Sequence, residues 1–319
     1  MSIDIYIQGK GIIAANGCEA SLFEPNGLQK LNCVEPNYGD FFDNRTLRRM
    51  SRIIKLGATS AFMALKDANI TQPDAIIVGT GFGCLEDTSM FLTKMINNKE
   101  ELLNPTPFIF STHNSISGIL GILLQSNGYN NTFSHRNFAF ESSLLDALIL
   151  LYEEEIKVAL VGAVDELTHD SFEILNKLGY YKGKTAGEGA SFFILSSKKE
   201  EHSIAKLKAV KFYSNYSIDE MKINTTNFLI ENGINKVDNL IISSNKENIE
   251  LADAAMIETL KMQDKTIFFK HFCGEFPSSS GFAFGVACSV IKKERLKNIL
   301  IYNQYDDGNN HSFILLSAC

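Results

Sequence analysis

Three uninterrupted apolar segments constrain the fold of this chain more than any other feature. They are AIIV (75–78), IKVALVGAVDEL (156–167) and GEGASFFILSS (187–197). Strands that are apolar on both faces are buried on both sides, and amphipathic helical segments lie between them, most clearly over residues 46–70. The alternation predicts an α/β protein in which helices cover both faces of mixed sheets.

The same strand and helix pattern begins again, in shorter form, after the polar run SSKKEEHS (196–203). We therefore predict an N-terminal half, residues 1–200, and a C-terminal half, residues 201–319, within one compact unit. An internal duplication accounts for this order, although no repeated sequence is visible. The Pro-rich segment NPTPFIF (104–110) is predicted to be extended.

Charge and hydropathy exclude several classes of protein. The formal net charge of −7 disfavours nucleic-acid binding, which requires a basic face. No apolar run reaches membrane-spanning length. At the N-terminus, apolar and polar residues alternate as in a strand, and the basic and then apolar pattern of a signal peptide is not seen, so we expect a cytoplasmic protein. The six cysteines form no CxxC pairs, which disfavours a zinc site or a disulfide framework.

A strand-to-helix turn in the segment 129–151 resembles the places where enzymes mount a nucleophile. An extended stretch, Thr132 to Phe138, runs through Ala139 into a helix with leucines at helical spacing. The residue at the turn is Phe140, which is neither a nucleophile nor an acid. The next residue, Glu141, is predicted to favour the helix N-terminus electrostatically.

Several segments in the same order resemble the beta-ketoacyl synthase family, the condensing enzymes of the thiolase fold. They are the opening strand to Gly17, LRRMSRIIKLGATSAFMALKDANI (47–70), IIVGTGFGCLEDT (76–88), NPTPFIFSTHNSISG (104–118), ESSLLDAL (141–148), VALVGAVDEL (158–167) and GEGASFFIL (187–195). The resemblance covers nearly the whole chain, which is shorter than usual for the family. It implies a thiolase-like αβαβα layered fold of two similar halves with mixed sheets.

The resemblance also implies that the catalytic residues of the family are replaced. The nucleophilic cysteine aligns with Phe140 in FAFESS (138–143), and the first histidine falls near Asn245 in SSNKENIELADAAM (243–256). The second histidine falls on Glu275 in KHFCGEFPSSSG (270–281), where Lys270 still fits the family pattern. A phenyl ring cannot carry an acyl group, and a carboxylate would repel a forming enolate. The condensing chemistry is therefore expected to be absent.

By resemblance, the chain is similar to the chain length factors of type II polyketide systems. Its short length and missing cysteine resemble those of the small partner subunits of aryl polyene or flexirubin-type pigment synthases. Such a subunit forms a heterodimer with an active ketosynthase, which also meets the acyl carrier protein. The chain itself would need no cofactor, since the phosphopantetheine thioester is the substrate of the complex. Interface residues implied are His113, Thr132, Phe133, Ser134, His135, Arg136, Asn137 and Phe138. Residues implied for the acyl tunnel and its gate are Phe82, Phe108, Phe110, Phe140 and Asp306.

Other interpretations remain open at this point. The phenylalanines could simply be core residues, and His113 and His135 could be polar packing residues. Cys273 and His271 could form a displaced nucleophile and base in an active condensing or hydrolytic enzyme. A homodimeric acyl-binding protein that retains only the fold is a third possibility.

Overall fold

The computed structural model describes residues 4–17, 28–136, 138–246, 248–305 and 310–319. Within these ranges the strands are β1 (Ile5–Ile13), β2 (Lys30–Leu31), β3 (Ala75–Gly79), β4 (Tyr129–Phe133), β5 (Val158–Asp165), β6 (Ala186–Gly187), β7 (Gly189–Ser196), β8 (Ala205–Ser214), β9 (Asn239–Ile242), β10 (Thr266–Phe268), β11 (Asn298–Tyr305) and β12 (Asn310–Ser317). The α-helices are α1 (Asn44–Leu47), α2 (Arg52–Asp67), α3 (Leu85–Asn97), α4 (Pro105–Phe110), α5 (Ser115–Leu123), α6 (Ala139–Tyr152), α7 (His169–Lys177), α8 (Ile218–Glu231), α9 (Leu251–Leu260), α10 (Phe269–Cys273) and α11 (Ser280–Glu294).

Ten strands form one mixed sheet in the order β10-β9-β11-β12-β8-β1-β7-β5-β3-β4. Each half contributes five of them and repeats one arrangement, in which its third, second, fourth, fifth and first strands lie side by side. The halves meet where β1 and β8 pair antiparallel, with Ile5 opposite Leu207 and Ile7 opposite Ala205. The remaining two strands, β2 and β6, form a separate small sheet.

The helices form three layers, one between the two halves of the sheet and one on the outer face of each half. In the centre, α6 and α11 pack against both halves in a core of large apolar side chains. On the outside of the N-terminal half, α2 and α5 cover a second core, and α8 and α9 cover a third core on the C-terminal half. The predicted αβαβα fold of two similar halves is confirmed, with the two predicted sheets joined into one.

Several predicted element boundaries were wrong. Residues 104–110 are not extended, because Asn104 caps α4 by accepting from the Thr106 N–H (3.0 Å) and Pro105 occupies the first helical position, where a missing N–H has no cost. The helix predicted over 46–70 divides into α1 and α2. The edge strand predicted over 132–138 lies at Tyr129–Phe133 instead. Phe138 is not part of the strand, because it is the N-cap residue of α6.

Candidate functional site

Phe140 lies in the first turn of α6, and its ring is fully buried. It packs 5.9 Å from the ring centroid of Phe193 and 5.7 Å from that of Phe284. The helix start lies directly against β3, where a Cβ on Gly79 would be 2.6 Å from the carbonyl carbon of Ala139. The position predicted for a nucleophile therefore holds a packing residue that is closed to solvent.

Glu141 is buried instead of facing the solvent at the helix terminus. One carboxyl oxygen accepts hydrogen bonds from the hydroxyls of Ser312 (2.8 Å) and Tyr305 (3.1 Å), while the other is buried and receives none from the described residues. Burial raises the pKa of this carboxyl, and the hydrogen bonds oppose that shift. The side chain thus ties α6 to β11 and β12, a role that differs from the predicted electrostatic one.

Glu275 forms a buried ion pair. Its Oε1 lies 2.9 Å from Nζ of Lys270, and the two side chains are 7% and 6% exposed. Its Oε2 lies 3.8 Å from Nζ of Lys184, a residue of the N-terminal half that also approaches Glu250 at 3.6 Å. At the position that the resemblance assigns to a histidine, the structure therefore has a carboxylate held between two lysines.

Asn245 and Glu275 line one small cavity, and Phe140 does not border it. The cavity has a volume of about 10 Å³, room for about one water molecule. Its lining residues are Gly183, Lys184, Thr185, Ser243, Ser244, Asn245, Asn248, Glu250, Lys270 and Glu275. Oδ1 of Asn245 is buried without a hydrogen-bond donor among the described residues. The structure thus brings two of the three predicted degenerate positions together.

Asp253, which anchors the sequence match near Asn245, is fully buried behind this cavity. It accepts hydrogen bonds from the backbone N–H of Ser244 (2.7 Å) and the hydroxyl of Ser243 (3.3 Å). Burial raises the pKa of Asp253 to about 7. Its carboxyl group fixes the loop that follows β9.

Asp165 joins the two halves and was not singled out by the sequence. Its Oδ1 accepts from the N–H groups of Gly81 (2.9 Å) and Phe82 (3.1 Å) and from the hydroxyl of Thr80 (3.1 Å). Its Oδ2 accepts from the N–H (3.1 Å) and the hydroxyl (2.6 Å) of Ser278. An acid at the end of an apolar strand is the sequence signal that could have found it.

The phenylalanines predicted for an acyl tunnel do not meet within this chain. Phe140 is in the central core, whereas Phe110 is partly buried against the outer core under α2 and α5. Phe108 is 57% exposed, and its ring packs at a tilt against that of Phe91, with the centroids 5.2 Å apart. Phe82 is half-buried, with the guanidinium of Arg136 5.6 Å from its ring centroid. The predicted gate residue Asp306 lies outside the described residues.

Most of the predicted interface residues lie on or directly after β4, the terminal strand of the sheet. Thr132 and Phe133 belong to this strand, and Ser134, His135 and Arg136 follow it as exposed residues. His113 is exposed beside Gly83, where an added Cβ would lie 2.8 Å from its ring. The ring of His135 contacts the Ser142 hydroxyl at 3.1 Å, and partial burial lowers its pKa. Phe138 is directed into its own chain, where it stacks on Phe212 at 5.1 Å. Asn137 lies outside the described residues.

The displaced pair Cys273 and His271 has unfavourable geometry for catalysis. Both lie on the short helix α10, where residues two apart do not face each other. The thiol of Cys273 is fully buried, and burial raises its pKa far above the usual range. A reactive cysteine requires an accessible thiolate, which this environment disfavours.

No group of three or more His, Cys, Asp or Glu among the described residues is arranged to hold a metal ion. None of the helices in the same ranges combines the length and the apolar character needed to cross a membrane.

The chain belongs to the beta-ketoacyl synthase family. Residues 39–205, more than half of the sequence, match the profile of the beta-ketoacyl synthase N-terminal domain. This match, together with the layered fold, confirms the resemblance drawn from the motifs. No curated protein matches the sequence.

Solved structures with a similar fold include three that contain a ketosynthase. The ishigamide ketosynthase/chain length factor aligns with a TM-score of 0.83 and 14% identity, covering 100% of both chains. AntDE:AntF, a type II polyketide synthase acyl carrier protein in complex with its ketosynthase, aligns at 0.80 and 16%, again over 100% of both chains. The ketosynthase ApeO in complex with its chain length factor ApeC, from Xenorhabdus doucetiae, aligns at 0.76 and 14%, covering 99% of this chain and 98% of that one. At these identities the similarity shows the fold alone.

Proposed function

We propose that this chain is a non-catalytic, chain-length-factor-like subunit of a ketosynthase complex. It would pair with an active ketosynthase in the cytoplasm, stabilise the heterodimer and shape the acyl tunnel during polyketide or fatty acyl elongation on an acyl carrier protein. The partner would supply the cysteine, both histidines and the contact with the carrier. The complex would act on a phosphopantetheine thioester, and this chain would need no cofactor.

The observation that carries the proposal is the buried ring of Phe140. An acyl thioester must reach a nucleophile to transfer its acyl group, and here the corresponding position is filled by a phenyl ring packed against two others. The Lys270–Glu275 ion pair supports the same conclusion, since a carboxylate there disfavours an anionic intermediate. The chain is therefore better suited to an assembly role than to condensation.

A concentration of exposed apolar side chains in the part of the chain that leads into β4 supports a protein partner. Eight of the twenty large apolar residues that are exposed in the described part of the chain fall within residues 90–129. They are Met90, Leu92, Ile96, Leu102, Phe108, Ile109, Ile122 and Tyr129. Exposed apolar residues concentrated in this way are typical of protein interfaces.

The edge of β4 offers backbone groups for pairing with a strand of the partner. The backbone carbonyl of Phe133 points toward β3, where it accepts a hydrogen bond from the Thr80 N–H. Successive residues of a strand direct their backbone groups to opposite sides, so the N–H of the preceding residue, Thr132, points to the outer side of β4. In the isolated chain that N–H donates to Oδ1 of Asn131 at 2.8 Å. An unpaired edge of this kind is normally covered in the native assembly.

The test is to tag the chain, co-express it with the ketosynthase encoded beside it, and determine the mass and composition of the eluted protein. A one-to-one complex is expected. Thr132→Pro should abolish it, because proline removes the outward N–H while leaving the β3 pairing intact, whereas Thr132→Val retains the N–H and the complex. Circular dichroism checks that both variants fold. A stable homodimer that captures no ketosynthase would overturn the proposal.

The proposed role in shaping the acyl tunnel is tested separately, by the length of the acyl product. Phe82 and Phe110 are predicted to help shape the acyl tunnel of the complex, so replacing either by alanine should enlarge the tunnel and lengthen the acyl product. Product length is measured by mass spectrometry on the carrier-bound acyl chain. Unchanged products from both variants would contradict a tunnel-shaping role without affecting the pairing result.

A further inference from the structure

The carboxylate of Glu275 occupies the position that an anionic ligand of Lys270 would take. The two groups are 2.9 Å apart, both side chains are almost fully buried, and Glu275 is the carboxylate within ion-pair distance of Lys270 in the described part of the chain. A buried ammonium that loses its only counter-ion is strongly destabilising. The site therefore favours an anion beside Lys270.

Hydrogen bonds and close packing fix the backbone around Glu275. The N–H of Glu275 donates to the Thr185 carbonyl (2.7 Å), and the Glu275 carbonyl accepts from the Gly187 N–H (3.1 Å). The preceding residue, Gly274, has a φ of +80°, and a Cβ there would lie 2.6 Å from Cα of Gly187. Because the backbone is fixed on both sides, Glu275 is held at the cavity.

We propose that Lys270, assisted by Lys184, forms a binding site for a small carboxylate and that the chain fills this site with its own Glu275. The free volume of about 10 Å³ beside Glu275 is too small for a second carboxylate. A carboxylated acyl group entering the cavity would also meet the negative charge of Glu275. The contact is thus autoinhibitory: it excludes carboxylated acyl ligands, whether or not the chain pairs with a ketosynthase.

The proposal is tested by chemical rescue of Glu275→Ala in the full chain, alone or in its complex. Thermal unfolding is followed against increasing sodium acetate and sodium malonate, with sodium chloride at the same ionic strength as the reference. The variant is expected to start with a lower Tm and to recover saturably with acetate, with an affinity at least tenfold higher than any shown by the wild type. The double variant Lys270→Met/Glu275→Ala should lose this response.

Glu275→Gln is the matched control, because its amide fills the same space without the charge. It should fold, unfold at a lower temperature than the wild type, and ignore acetate. If Glu275→Ala does not fold alone, it is refolded from urea with and without acetate, and native circular dichroism should return only with acetate. The proposal is overturned if acetate has no effect on Glu275→Ala in either format, or if Glu275→Gln responds equally.

Discussion

Replacing Phe140 by alanine tests whether this residue holds the central layer together. Its ring is fully buried and contacts two other aromatic rings, Phe193 on β7 and Phe284 on α11. Those two rings also contact each other at 4.6 Å. The substitution would remove one member of a three-ring cluster that joins both halves of the molecule.

The expected cost follows from this geometry. Phenylalanine to alanine at a buried site lowers the free energy of unfolding by about 3–5 kcal/mol, through lost burial and the cavity that remains. Each of the two ring contacts adds about 0.5–1.5 kcal/mol beyond burial, which favours the upper part of that range. We expect a loss of about 4 kcal/mol, close to a thousandfold in the folding equilibrium.

The assay is equilibrium unfolding in urea, followed by circular dichroism because the chain has no tryptophan. Phe108→Ala is the matched control: its side chain is 57% exposed, so its loss should stay below about 1 kcal/mol. If Phe140→Ala were no less stable than Phe108→Ala, the central packing role assigned to Phe140 would be refuted.

Three other variants address the buried polar groups and the lost chemistry. The pKa of Glu141 is raised in the folded state, so the unfolded chain ionises first and the wild type loses stability as pH rises above about 4.5. The Tm of Glu141→Gln should therefore rise relative to that of the wild type as pH increases above about 4.5, and a difference that stays constant with pH would contradict this. Asp165→Asn places an amide N–H₂ against hydrogen-bond donors and should cost about 3 kcal/mol in urea unfolding, whereas a loss below 1 kcal/mol would argue against Asp165 as a link between halves. Phe140→Cys should form no acyl-enzyme detectable by mass spectrometry, because position 140 is fully buried and an acyl thioester cannot reach it; a stable acyl adduct at that cysteine would count against the proposed loss of chemistry.

Strands buried on both faces were predicted because their sequences are continuously apolar, as in β3, β5 and β7. The strand β11 was missed, since Asn303 and Gln304 interrupt its apolar run although both are buried. The helix α4 was missed because proline was interpreted as an extended signal when it occupied a helical first turn. Local pattern thus predicted most elements, and the exceptions are places where burial or capping overrides composition.

The site was less predictable than the fold. Lys270 and Glu275 are five residues apart, and the motif that contains both pointed to their position. Glu141 was interpreted only as favouring the helix N-terminus electrostatically, because its partners, Tyr305 and Ser312, are 164 and 171 residues away in the sequence. Contacts over such separations arise only when the two halves pack, so no local pattern reports them.

The pairing of β1 with β7 and β8 sets an order of events during synthesis. The first strand, Ile5–Ile13, is complete long before its partners at Ala190–Ser196 and Ala205–Leu207 are made. At roughly 5–20 residues per second, the ribosome needs about 9–35 s to extend the chain by the 177 residues from position 13 to position 190. During that interval an apolar strand waits without either neighbour. Production of this protein should therefore depend on chaperones that shield the nascent N-terminus.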